Sequence, residues 1–104
     1  MNVTLVVWTS EAFSDLESIF DFIYSQSQTA AGGVTKSILA RTRQLELFPE
    51  SGSEQETLHQ KKRRYRYLVQ GSYKIIYSHN KDIIYIHAIV DCRQDPYSVD
   101  DKLV

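Results

Sequence analysis

A single cysteine, Cys92, rules out a disulfide within this chain of 104 residues. No apolar run approaches the ~20 residues that a membrane-spanning helix requires. The opening segment, Met1 to Val7, lacks the charged start and long apolar region of a signal peptide, so a cytoplasmic location is expected. No histidine and cysteine cluster has metal-site spacing, and no glycine-rich loop is present to cradle a phosphate. Neither a metal nor a cofactor is therefore expected. Repeats and low-complexity segments are also missing. What remains is a length, and a hydrophobic content of 42%, that suit one domain over residues 1–104 with one modest core.

The net charge is only −1, but it is unevenly placed. Residues 1–58 hold three basic and eight acidic side chains, a net of −5. Residues 59–93 hold eight basic and two acidic ones, a net of +6. This positive stretch includes Lys61, Lys62, Arg63, Arg64, Arg66, Lys74 and Arg93, the candidate basic binding face. Such an asymmetry suggests an acidic or polyanionic partner on that side. A solvated face explains it as well, and lysines at a sheet edge also discourage strand-to-strand aggregation.

The region from Lys61 to Arg93 organises the chain. Tyr65–Val69, Tyr73–Tyr77 and Ile83–Val90 read as three strands. Gly71-Ser72 supplies one tight turn and Asn80 with its neighbours another, so the strands must be antiparallel. Pro96 ends any ladder, and residues 97–104 read as a flexible polar tail. Upstream, Asn2 to Trp8 is rich in Val and suits a strand. Thr9 and Ser10 followed by Glu11 form a helix start signal, because a hydroxyl caps free N–H groups and an acid suits the first turn. Ala12, Leu16, Ile19, Phe20 and Ile23 then share one face at helical spacing, with Asp15, Glu17 and Asp21 off it. After a polar break at Ser25 to Gln28, a second helix is expected from Thr29. Its apolar positions are Ala31, Val34, Ile38, Leu45 and Phe48, and Pro49 stops it. Gly32 and Gly33 weaken its first turns by roughly 1 kcal/mol each and would permit close approach of the two helices. Glu50 to Thr57 reads as a loop. The predicted class is α+β in the order β-α-α-β-β-β, with a helical hairpin on one face of a mainly antiparallel sheet.

Several landmarks stand in order along the chain: Trp8-Thr9, Glu11-Ala12, Asp15-Leu16, Leu45, Phe48-Pro49, Gly52, Tyr65-Arg66-x-Leu68, Gly71-x-Tyr73-Lys74-Ile75-Ile76-Tyr77, and Val90-Asp91-x-Arg93-Gln94-Asp95-Pro96. In this order the chain resembles the RelE/ParE superfamily of small toxins from bacterial type II toxin-antitoxin systems. The resemblance implies a cognate antitoxin, with a flexible segment that folds on binding against the helical hairpin and the basic sheet. ParE-like members bind and poison DNA gyrase without catalytic residues. RelE-like members are ribosome-dependent endoribonucleases that cut messenger RNA with basic side chains of the sheet. Here the family's strand arginine is replaced by Lys74, the arginine after the last strand is matched by Arg93, and the positions of the nuclease lysines hold Tyr65 and Tyr67. These departures favour the ParE-like reading, with gyrase as the partner. The nuclease reading, with ribosome and messenger RNA as partners, is the alternative, and a degenerate member that only binds antitoxin is a third.

For a nuclease, Arg66, Lys74 and Arg93 would stabilise the phosphate, and Tyr97, His79 or His87 would move protons. The turn length decides whether this is feasible. A two-residue turn at Gly71-Ser72 puts Tyr65, Tyr67 and Lys74 on one face and Arg66 with Tyr77 on the other, whereas a three-residue turn reverses this. Arg66 equally fits a structural arginine paired with a carboxylate from the helices. Lys74 equally fits a solubilising residue, and the tyrosines equally fit sheet packing.

Overall fold

The computed structural model describes residues 3–55 and 64–93. The expectations placed on Lys61, Lys62, Arg63, Tyr97 and the tail from residue 97 lie outside these. The elements are β1 (Leu5–Trp8), α1 (Ser10–Tyr24), α2 (Gln28–Arg43), a turn of 3-10 helix (Gln44–Glu46), β2 (Ser53–Gln55), β3 (Tyr65–Gln70), β4 (Tyr73–Asn80) and β5 (Ile83–Asp91). The strands form one five-stranded sheet in the order β1-β5-β4-β3-β2. Among the described strands only the β1–β5 pair is parallel. No described helix is long and apolar enough to cross a membrane.

Thr9 joins sheet to helix. Its side-chain oxygen accepts from the Ala12 N–H at 3.1 Å, which caps α1, and its hydroxyl donates to the Ile86 carbonyl at 3.0 Å. The helix therefore leaves β1 at a fixed angle over β5. Ser27 caps α2 in the same way, accepting from Ala30. Ala12, Leu16, Ile38 and Leu45 reach down from the helices onto Leu68, Ile75, Tyr77, Ile84, Ile86 and Ile89. Each large aliphatic side chain buried here contributes about 1.5–3 kcal/mol.

Three sequence expectations are corrected. Ser53–Gln55, expected within a loop, pairs antiparallel with Tyr65–Tyr67 as the short edge strand β2. The second helix does not run to Phe48. It ends at Arg43, where Gln44 N–H bonds to the Arg41 and Thr42 carbonyls, and the tighter turn that follows still buries Leu45 but leaves Phe48 63% exposed. Gly32 and Gly33 do not serve close helix packing, since a Cβ at either would meet nothing within 4 Å.

Gly71, at φ 60°, makes the β3–β4 connection a two-residue turn, and Val69 pairs with Lys74. A bulge then shifts the β4–β5 register: Ile76 pairs with Ala88 but Tyr77 with Ile86, leaving His87 as the extra residue. This changes the parity of β5, so Ile84, Ile86 and Ile89 all face the helices. On the opposite side Tyr65, Ile76, Ala88 and Val90 form a second, smaller buried cluster with Tyr67 against it.

Candidate binding surfaces

The two-residue turn separates the cations proposed from sequence. Arg66 lies on the helical side with Tyr77, and Lys74 lies on the other side with Tyr67. Arg66 is committed to structure. Its guanidinium donates to the Gly52 carbonyl at 2.8 Å and the Glu50 carbonyl at 3.4 Å, and approaches the Glu50 carboxylate at 3.8 Å. The carboxylate comes from the segment after the helices rather than from the helices themselves. The Gly52 N–H in turn donates to the buried Tyr77 hydroxyl at 2.9 Å. A Cβ on residue 52 would sit 2.6 Å from the Tyr67 carbonyl oxygen and 2.7 Å from that hydroxyl, so only glycine fits this clasp. Burial raises the Tyr77 pKa above 10.0, opposed by the Gly52 hydrogen bond.

Arg93 lies at the far end of β5. It grips Asp91 with two side-chain contacts of 3.0 and 2.6 Å. This pairing holds the Asp91 carboxyl well below its ordinary value, at about 2, and raises the Arg93 guanidinium. Both line a cleft of about 250 Å³ with Asp15, Ser18, Phe22 and Tyr73. Asp15 also accepts from the Ile89 N–H at 3.0 Å, which satisfies the edge of β5 beyond the end of β1. Arg64 is exposed just before β3.

On the side away from the helices, the Lys74 ammonium sits 4.3 Å from the centre of the Tyr67 ring and 3.5 Å from the Gln55 side-chain oxygen. Ser78 and His87 are linked at 2.7 Å, and the His87 ring meets Tyr65 edge-on. Ser78 is only 2% exposed, so this pair cross-braces β4 and β5 and offers no accessible nucleophile. His79 contacts the Lys81 carbonyl in the exposed β4–β5 turn. Among the described residues, Arg66 and Lys74 are thus on opposite sides of the sheet, and Arg93 is held by its own neighbour Asp91.

The helical hairpin carries a second surface, whose lining residues the sequence does not single out. Trp8, Phe13, Leu16, Phe20, Thr35 and Leu39 line an apolar groove of about 600 Å³ along α1 and α2, and Glu17 and Asp21 complete its lining. Phe13 and Leu39 remain 55% and 37% exposed. The signal lay in apolar residues that fall off the main helical stripe, Phe13 above all, since a helix that serves one core has no use for a second apolar flank.

The arrangement is that of a small α+β protein with two unlike surfaces, an apolar groove with acidic residues and a tyrosine–lysine face. A family model described as the ParE toxin of the type II toxin-antitoxin system parDE matches residues 6–96, and the chain belongs to this family. Among solved structures, a chain from the "Chromosomal ParDE TA system from P. aeruginosa" shares the fold at 17% identity and a TM-score of 0.69, covering 86% of this chain and 96% of that chain. No curated protein matches.

Proposed function

We propose that this toxin-family chain is neutralised by a cognate antitoxin and, once released in the cytoplasm, inhibits DNA gyrase by binding rather than by catalysis. The observation that carries this reading is the dispersal of the candidate catalytic cations. A phosphate cannot be met at once by Arg66 and Lys74 from opposite sides of one sheet, and Arg66 and Arg93 already hold Glu50 and Asp91. Electrostatic stabilisation of a phosphoryl transition state needs preorganised charges aimed at one point. A binding inhibitor needs only a surface.

Pulsed expression without antitoxin, reading DNA integrity and protein synthesis in the same cells, tests it. DNA breaks with synthesis initially intact are expected, together with inhibition of supercoiling by purified gyrase. Cut messenger RNA with intact DNA would overturn the reading in favour of the nuclease. Harmless expression would assign the chain to antitoxin binding alone.

A further inference from the structure

β1 ends the sheet on its parallel side, and a short length of its outer rim is open. The Leu5 and Thr9 N–H groups donate inward, to the Asp82 and Ile86 carbonyls at 2.9 and 3.1 Å, whereas the Thr4 N–H donates to the Glu46 carbonyl of the 3-10 turn at 2.9 Å. Backbone groups alternate in direction along a strand, so those of Val6 and Trp8 face outward. Among the described residues no strand pairs with them. Open strand edges are normally guarded by charge, proline or a bulge. Residues 3–9 carry no charge and no proline, and the β1–β5 register has no bulge. The strand at the other end of the sheet, β2, is only three residues long and includes the exposed Glu54. The rim of β1 is also flanked by apolar surface. Val3, Leu5, Leu47 and Phe48 are each more than half exposed, and the Thr4–Glu46 bond brings the start of β1 beside Leu47.

We propose that β1 pairs antiparallel with β1 of a second copy of this chain, about a two-fold axis at Val7, and joins the two sheets edge to edge. Val6 of each copy then faces Trp8 of the other, and the outward N–H and carbonyl groups of both residues are satisfied. Charge and length select this occupant. The rim is uncharged, so identical rims meet without repulsion, and an acidic or basic segment gains nothing there. The rim is closed at Thr4 by the 3-10 turn, which blocks a long foreign strand. Opposite that point, the second copy's chain has already left the sheet at Ser10 to begin α1. Val6 and Trp8 pack toward the helical core, so Val7 points to the other side, and the two Val7 side chains meet at the axis. Even fully covered, the four exposed apolar side chains supply on the order of 300 Å² per copy, under half of the ~800 Å² a side in a standard interface. The dimer is therefore weak and depends on concentration in the micromolar range. It is a property of the free chain and does not depend on the target of the toxin.

Sedimentation of the purified chain across the micromolar range provides the test. The unaltered chain should pass from monomer to dimer as concentration rises. Val7→Lys sets two like charges face to face at the axis and should weaken the dimer about tenfold or more. Val7→Glu should do the same, and an equimolar mixture of the two variants should restore dimers. Circular dichroism checks that each variant is folded. A second measurement does not depend on those charges. In a Cys92→Ser chain, Val7→Cys should form a disulfide-linked dimer on mild oxidation, because a directly opposed pair at this spacing meets disulfide geometry. Phe22→Cys in the same background, exposed but far from the rim, should give no more than traces. A chain that stays monomeric throughout, a dimer that Val7→Lys leaves intact, a mixture that fails to reassociate, or cross-linking no better at residue 7 than at residue 22 would overturn the proposal.

Discussion

On the helical side of the sheet, Leu68, Ile75, Tyr77, Ile84, Ile86 and Ile89 lie under two helices and share a core with Ala12, Leu16, Ile38 and Leu45. On the other side of the same strands, Tyr65, Ile76, Ala88 and Val90 are buried in a cluster of four, and Lys74 rests on Tyr67 beside it. Neighbouring residues of one strand thus serve different layers. Ile75 and Ile76 are chemically identical and equally inaccessible, yet one supports the hairpin and the other supports the opposite face. The lesson concerns charge as much as packing. Arg66 is held in a structural clasp because its register puts it on the helical side, within reach of Glu50 and Gly52, while Lys74, on the other face, rests on an aromatic ring.

The sharpest way to break this comparison is to truncate the two isoleucines in turn. Ile75→Ala should cost about 3–5 kcal/mol, because the rigid hairpin above it cannot collapse into the cavity, and Ile76→Ala about 2–3 kcal/mol. Urea unfolding of the two variants measures this directly. Equal losses would mean that the smaller cluster is as tightly packed as the main core.

Tyr77→Phe tests the clasp that ties the Glu50–Gln55 segment to the helical side. It leaves the buried Gly52 N–H without its acceptor and should cost about 1–2 kcal/mol. The same hydroxyl gives an alkaline signature. Its pKa is raised in the fold, so the unfolded chain releases this proton first as pH passes 10.0. Stability is therefore whole below that pH and declines above it until the folded hydroxyl ionises as well. The Tyr77→Phe variant should lack this part of the alkaline decline in a series of thermal melts.

The smallest effect belongs to the exposed Asp91–Arg93 pair. The Asp91 pKa is lowered from 3.8 to about 2, so its contribution is present above 3.8 and is lost as pH falls through about 2. An NMR titration following the Arg93 Nε–H should show it leaving its bonded position over that acid range. Global stability should barely register the change, since exposed pairs contribute little. A large drop would show that the pair anchors the end of β5.

Much of the architecture was legible beforehand. The meander, the capped α1 and the hairpin order follow from alternation, from Thr9 before Glu11, and from Gly71-Ser72. Each is a local signal, set by the period of the chain or by backbone geometry. The strand at Ser53–Gln55 was hidden because nothing in Ser-Glu-Gln favours a strand. It forms by pairing with β3, held in place where Gly52 meets Tyr77 and Arg66. The extension of α2 to Phe48 failed for the reverse reason: the apolar spacing continued after the backbone had tightened into a 3-10 turn.

The surfaces are less legible. Sequence leaves the faces of Lys74 and Arg66 to the length of one turn, and it does not show that Arg93 binds Asp91 or that Trp8, Phe13 and Leu39 line one groove. Sequence periodicity assigns a residue to a side of its own element. It does not say which other element covers that side. By itself, then, the sequence determined the class, the order of elements, the basic and acidic halves and the family landmarks, because these are properties of segments and spacings. Only the tertiary structure decided that Arg66 is spent on Gly52 and Glu50, that Lys74 faces the other way, and that two helices leave an acidic apolar groove between them. Those outcomes depend on a two-residue turn at Gly71-Ser72, on a bulge at His87 and on helix packing, and a shift of one residue in any register would have exchanged the faces.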